Sequence, residues 1–282
     1  MFQTKDLELV AADGAVLSGR LVAHEAPSVC VLISSGTGFK KEFYQKTAEY
    51  FAARGAAVLL YDYRGIGASR TRAHLLQANL PDWGSFDMRA GIDFLSATYP
   101  GLQISHLGHS AGGHLVGFAE NQHRIAKHAF VACGSGTWYR HDVHRWAVEL
   151  YFWWGLGTYA LRRWGYLKPV GGWSGDPLPG PVFRTWRRWS SKRRYYADEL
   201  RTGKQPHVFG DVTAPITSWV FSDDGIATER AAKDILDVYT NAPCTLKLVR
   251  PQDLEKRAIG HQGCFRSGFE ALWQEWWDWL KA

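Results

Sequence analysis

Short, wholly apolar runs alternating with helical stretches constrain this chain more than any other feature of it. Residues 29–33 read Val-Cys-Val-Leu-Ile, apolar on both sides of a strand, which only a sheet covered on both faces can bury. From residue 43 to 54 apolar positions recur at helical spacing, and Gly55 ends the segment. The unit repeats, with strands expected at 57–61, 104–107 and 128–133 and helices at 87–95 and 113–120. It resumes later with strands at 216–221 and 245–249 and helices at 228–239 and 267–280. Strands joined through helices form right-handed crossovers, so the pattern predicts an α/β fold with a mainly parallel central sheet flanked by helices. Ahead of it, Leu7, Leu9 and residues 15–22 alternate apolar with polar around Asp13-Gly14, the signature of a hairpin.

Between residues 139 and 212 this rhythm fails. Seven of the 14 tryptophans fall there: Trp146, Trp153, Trp154, Trp164, Trp173, Trp186 and Trp189. The segment holds 13 Lys+Arg against 6 Asp+Glu, a balance of +7, whereas the whole chain carries +6. The excess charge is therefore local, and no nucleic-acid-binding motif accompanies it. The expected division is a core of residues 1–138 and 213–282 interrupted by an insertion at 139–212. Within it, residues 146–161 are almost entirely apolar, with Glu149 the one charge and Arg162-Arg163 following. The run is too short to span a bilayer. It fits either a helix packed on the core with aromatics lining an apolar pocket, or an interfacial segment making peripheral membrane contact. The second basic cluster, from Arg184 to Arg194, reads as a solvated helix face. Cys30, Cys133, Cys244 and Cys264 lie far apart with no CxxC pair, and the amino-terminal residues lack a basic stretch followed by an apolar one. Reduced thiols and a cytoplasmic setting are the expectation.

Gly108-His-Ser-Ala-Gly112 is a G-x-S-x-G sequence directly between an expected strand and an expected helix. Two glycines allow a tight turn on which Ser110 stands exposed, and the helix start offers N–H groups to developing negative charge. A serine hydroxyl needs a base, and the base needs an acid to hold its tautomer. Ser222-Asp-Asp-Gly-Ile-Ala-Thr228 follows a strand end; Asp224 is the preferred acid and Asp223 the alternative. Ile259-Gly-His-Gln-Gly263 places His261 in a glycine-flanked loop after the last strand. An oxyanion needs two donors. The backbone N–H of Ala111 is one, and the Ser34-Ser-Gly-Thr-Gly38 loop supplies the other, from Thr37 or else Gly36 or Gly38. His109 and His114, and the His141-Asp-Val-His144 pair, lack a third ligand at metal spacing and read as surface or packing residues.

These segments, with Tyr61-Asp-Tyr-Arg-Gly-Ile-Gly-Ala-Ser69, resemble the α/β-hydrolase superfamily, specifically bacterial serine hydrolases of the esterase or lipase type. The likeness covers roughly residues 28–138 and 214–280. It implies the α/β-hydrolase fold, a catalytic triad of Ser110, Asp224 and His261, and a cap formed by the insertion. It further implies cleavage of a small hydrophobic ester through an acyl-enzyme, with no cofactor or metal and no nucleic-acid partner. An acyltransferase, a thioesterase or amidase using the same triad, and a non-catalytic protein of the same fold remain open alternatives at this point. Where this kind of enzyme commonly has His-Gly in the first loop, the chain has Ser35-Gly36.

Overall fold

The computed structural model describes residues 1–203 and 205–282. Among the described residues, eight strands form one sheet: β1 (Phe2–Val10), β2 (Val16–His24), β3 (Val29–Ser34), β4 (Ala56–Tyr61), β5 (Gln103–His109), β6 (Ile125–Val131), β7 (Ile216–Phe221) and β8 (Cys244–Val249). Their order is β1-β2-β4-β3-β5-β6-β7-β8, antiparallel as far as the β2–β4 pair and parallel from β4 onward. This is the α/β-hydrolase fold. The antiparallel start follows from the Asp13-Gly14 turn, where Gly14 takes a φ of +83° that a side chain would resist.

The apolar runs behave as the pleat demands. In β3 all six residues are buried. Cys30 and Leu32 join the hydrophobic cluster on one face, and Val29, Val31 and Ile33 join the cluster on the other. Phe51 of the Gln45–Ala52 helix and Trp273, Trp276 and Trp277 of the Glu270–Lys281 helix cover the second face. Trp83, Ile92 and Leu95 cover the first, together with Trp153, Phe183 and Trp189 from the insertion. β8 is the exception: its residues are exposed or half-buried, as befits an edge. Cys30, Cys133 and Cys264 are buried free thiols, and Cys244, on that edge, is exposed.

One expected element is absent in the form predicted. Instead of a helix over 113–120 there is a single turn, Ala111–His114, followed by a 3-10 turn at Val116–Phe118. Gly112, Gly113 and Gly117 fall in these seven residues, and each costs a helix about 1 kcal/mol relative to alanine. A Cβ at Gly117 would lie 2.2 Å from the Phe209 ring, so close packing rather than helix continuity is served here.

Residues 139–212 leave the sheet after β6 and return at β7. Their longest feature runs over 146–164: α-helix at Trp146–Leu150, a π-helical turn at Tyr151–Leu156, and α-helix again at Gly157–Trp164. The Gly180–Ser190 helix packs beneath it, burying Val182, Phe183 and Trp189. Among the described residues, no helix is long and apolar enough to cross a membrane.

Candidate active site

The carboxyl ends of parallel strands are where an open α/β sheet presents its loops, and β3, β5, β7 and β8 place site residues there. β5 delivers Ser110 on a turn with φ +50° and ψ −117°, a backbone conformation that costs a non-glycine residue of order 1–3 kcal/mol. The turn is pinned by the Ser110 N–H donating to the Val131 carbonyl at 3.0 Å. Both flanking glycines are required by proximity: a Cβ at Gly108 would meet the Gly113 nitrogen at 2.7 Å, and one at Gly112 the Ser34 carbonyl oxygen at 2.2 Å.

Three side chains distant in sequence meet at this turn. His261 Nδ1 lies 2.8 Å from Asp224 Oδ2, and His261 Nε2 lies 3.0 Å from Ser110 Oγ. With Nδ1–H donated to the carboxylate, Nε2 is left to accept the serine proton. Asp224 is buried, and its other oxygen accepts from the N–H groups of Ile226 and Ala227 at 2.9 and 3.2 Å. Burial alone would raise its pKa. The His261 imidazole and these hydrogen bonds outweigh that and hold the carboxyl below its ordinary value.

The structure separates the two aspartates. Asp223 does not reach the imidazole; its Oδ2 accepts from the N–H groups of Ile259 and Gly260 at 2.7 and 3.1 Å. It therefore ties down the loop that carries His261. The three oxyanion-donor candidates differ in their surroundings. The Gly36 N–H is spent on the Tyr44 hydroxyl at 2.9 Å. Gly38 packs beneath Trp173 and its carbonyl accepts from Asp176 N–H at 2.9 Å. Thr37 and Ala111 both line the cavity at Ser110.

His109, read from sequence as surface or packing, proves wholly buried and hydrogen-bonded at both ring nitrogens. Tyr44 Oη is 2.7 Å from Nδ1, and the His261 carbonyl is 2.9 Å from Nε2. A carbonyl can only accept, which fixes the polarity: Gly36 N–H to Tyr44 oxygen, Tyr44 O–H to His109 Nδ1, and His109 Nε2–H to His261. Phe39 and Phe265 pack edge-on against the ring. Burial, reinforced by the nearby His261, lowers the pKa of His109 to about 3. The neutral ring thus links the first loop to the loop that carries His261. Its position beside Ser110 was the one sequence signal for this role. His114 and His141 are buried as well. Arg64, also outside the chemistry, is held by Asp13 and Asp87.

The cavity at Ser110 measures about 200 Å³ and opens beneath the insertion. Phe152, Trp153, Trp173 and Trp186 supply aromatic walls. Glu149 is the one carboxylate among the described lining residues. Its Oε1 lies 3.1 Å from His141 Nδ1 and 3.5 Å from Arg145 Nε, so it is already paired.

Residues 25–228 match the family described as serine aminopeptidase, S33 (Hydrolase_4). The chain belongs to this family of α/β hydrolases. Within it, the matched stretch takes in Ser110 and Asp224 and ends before His261. No curated protein matched the chain at a significant level. Among solved structures, this hydrolase is similar to DcsB in complex with its substrate analogue, at 16% identity and TM-score 0.65 over 99% of both chains. It is also similar to the α/β hydrolase GrgF from Penicillium, at 18% identity and TM-score 0.63 over 99% of this chain and 98% of that one. The esterase Pf2001 of Pyrococcus furiosus follows, at 16% identity and TM-score 0.61 over 99% of this chain and 92% of that one. At such identities these likenesses speak to the fold.

Proposed function

We propose that this hydrolase cleaves carboxylic esters of hydrophobic acids through an acyl-enzyme, with Ser110 as nucleophile, His261 as base and Asp224 as the acid that orients it. The observation that carries this reading is the unbroken hydrogen-bonded series from Asp224 through His261 to Ser110, ending at an aromatic-walled cavity. Ser110 Oγ attacks the ester carbonyl carbon while its proton passes to His261 Nε2. The resulting oxyanion is held by the N–H groups of Ala111 and Thr37, donors of a kind whose loss costs roughly 10²–10³ in rate. The tetrahedral intermediate expels the alcohol, which takes the proton from His261. Water then gives a proton to the same nitrogen and attacks the acyl carbon, releasing the acid and restoring the serine. In this reading, residues 139–212 act as the cap, and a cavity of this size suits a short acyl or single-ring group.

An aminopeptidase reading, prompted by the family description, needs a carboxylate to receive the substrate's α-ammonium group. Glu149 is the candidate, but His141 and Arg145 already occupy it, which favours an uncharged acyl group. The test is a panel of p-nitrophenyl esters against aminoacyl p-nitroanilides, run with fluorophosphonate labelling of wild type and Ser110→Ala. Ester turnover and labelling are expected in wild type, with both lost in the variant and a rate at least 10³-fold lower. Labelling that survives Ser110→Ala, or anilides turned over faster than esters, would overturn the assignment.

A further inference from the structure

The outer side of the 146–164 helical stretch lies mostly outside the site just described, yet it carries a concentration of exposed apolar side chains. Of the 13 exposed large apolar residues among those described, six lie in residues 143–159: Val143, Val148, Leu150, Tyr151, Trp154 and Tyr159. The others lie in the amino-terminal hairpin and at the single positions Leu76, Val170 and Leu248, so these six are a local concentration rather than background exposure. Val148, Tyr151, Trp154 or Gly155, Tyr159 and Arg162 follow one another at three- to four-residue spacing, which puts them along one side of the helix. The inner side is apolar as well, with Trp153, Leu156 and Ala160 buried in the core. Such a helix has two apolar faces and only one of them is covered.

Charge decides what covers the other. The stretch has a single carboxylate, Glu149, and it is buried and paired on the inner side. Arg162 and Arg163 are exposed at the carboxyl end, and neither is ion-paired among the described residues. Trp154, Tyr159 and the two arginines line a shallow surface groove of about 460 Å³. We infer that this outer face docks on an anionic phospholipid surface, with Trp154 and Tyr159 at headgroup depth and Arg162 and Arg163 against lipid phosphates. Aromatic side chains with one polar end settle at that depth, and arginines near an anionic bilayer add attraction that salt screens. A second copy of this chain fits less well. Parallel two-fold pairing of the face on itself would set Arg162 and Arg163 close to their own counterparts, and in either direction the stretch offers them no free carboxylate, since Glu149 is already paired. Val148 belongs both to this face and to the lining of the Ser110 cavity, so docking would bring the cavity mouth to the lipid surface.

The experiment is co-flotation of the full chain with vesicles of phosphatidylcholine alone and with added phosphatidylglycerol, at low and high salt. Two double variants accompany it: Trp154→Ser with Tyr159→Ser, and Arg162→Gln with Arg163→Gln. None of these residues lines the Ser110 cavity, so fluorophosphonate labelling and the melting temperature report that each variant is folded. Wild type is expected to float with phosphatidylglycerol vesicles. The aromatic pair should lose binding by on the order of tenfold or more, and the arginine pair should lose the preference for anionic lipid. No flotation by wild type, flotation unaffected by the aromatic substitutions, or concentration-dependent dimerisation abolished by them without vesicle binding would each overturn the inference.

Discussion

Asp223 and Asp224 are adjacent in sequence and present carboxylates to different partners. Asp224 faces the imidazole of His261, and Asp223 receives the backbone N–H groups of Ile259 and Gly260. Replacing each by asparagine separates the roles. Asp224→Asn is expected to lower kcat by about 10⁴, because the amide can no longer hold the imidazole in the productive tautomer. Asp223→Asn keeps an acceptor oxygen for the loop and is expected to lower kcat only about tenfold; steady-state kinetics on one ester distinguishes them. Tyr44 is the second residue whose effect passes through another group. Tyr44→Phe leaves both the Gly36 N–H and His109 Nδ1 without a partner. A fall in kcat of roughly tenfold with KM unchanged is expected, whereas a role in packing alone would lower the melting temperature and leave kcat intact.

At the level of elements, the turn that carries Ser110 depends on contact more than on the helix that follows it. Ala111–His114 is one turn, and the serine's backbone is held by close approach of β5, β6 and the end of β3. Gly112→Ala tests this, since its Cβ would lie 2.2 Å from the Ser34 carbonyl oxygen, an atom of a central strand that cannot give way. A loss of about 1–3 kcal/mol is expected in urea unfolding, together with loss of fluorophosphonate labelling. Full labelling with unchanged stability would show that the turn has room to relax. The insertion is fastened in a comparable way. Asp176 donates its N–H to Gly38 in the first loop, and its carboxylate receives the Gly67 N–H and Arg70, each at 2.7 Å. The π turn at Tyr151–Leu156 sits where Phe152 and Trp153 reach the cavity, the kind of place where such turns recur.

Across the whole molecule, four buried histidines govern the response to acid. His109, His114 and His128 have their pKa values lowered to about 3, and His106 is lowered strongly too; burial is the leading cause in each. His106 and His128 face each other between β5 and β6, Nδ1 to Nδ1 at 3.2 Å. A histidine whose folded pKa is depressed stays neutral in the native state and takes up a proton when the chain unfolds below its ordinary pKa near 6.5. The unfolded state then binds more protons, so stability falls as pH drops from about 6.5 toward 3, by up to about 1.4 kcal/mol per pH unit for each such group. The depressed Asp224 adds loss only at lower pH, as it nears its own folded value. Buried Asp87, whose pKa is raised to about 7, contributes in the opposite sense over the same range, but the four histidines outnumber it, so urea midpoints between pH 7.5 and 4.5 should decline below about pH 6.5. A flat profile would mean that these rings gain protons without unfolding.

The order of strands and helices, the hairpin at Asp13-Gly14 and the shape of the serine turn were legible in the sequence because each rests on local chemistry: pleat alternation, turn residues, glycines beside a serine. The same local signals predicted a helix at 113–120, and packing of Gly117 against Phe209 replaced it with two short turns. What separated Asp223 from Asp224, assigned the Gly36 N–H to Tyr44 and drew His109 into the site was the meeting of side chains from β3, β5, β7 and the loop after β8. Residues 109 and 261, or 44 and 109, are neighbours only once the sheet has ordered their strands. No periodicity along a chain encodes a hydrogen bond between residues that far apart.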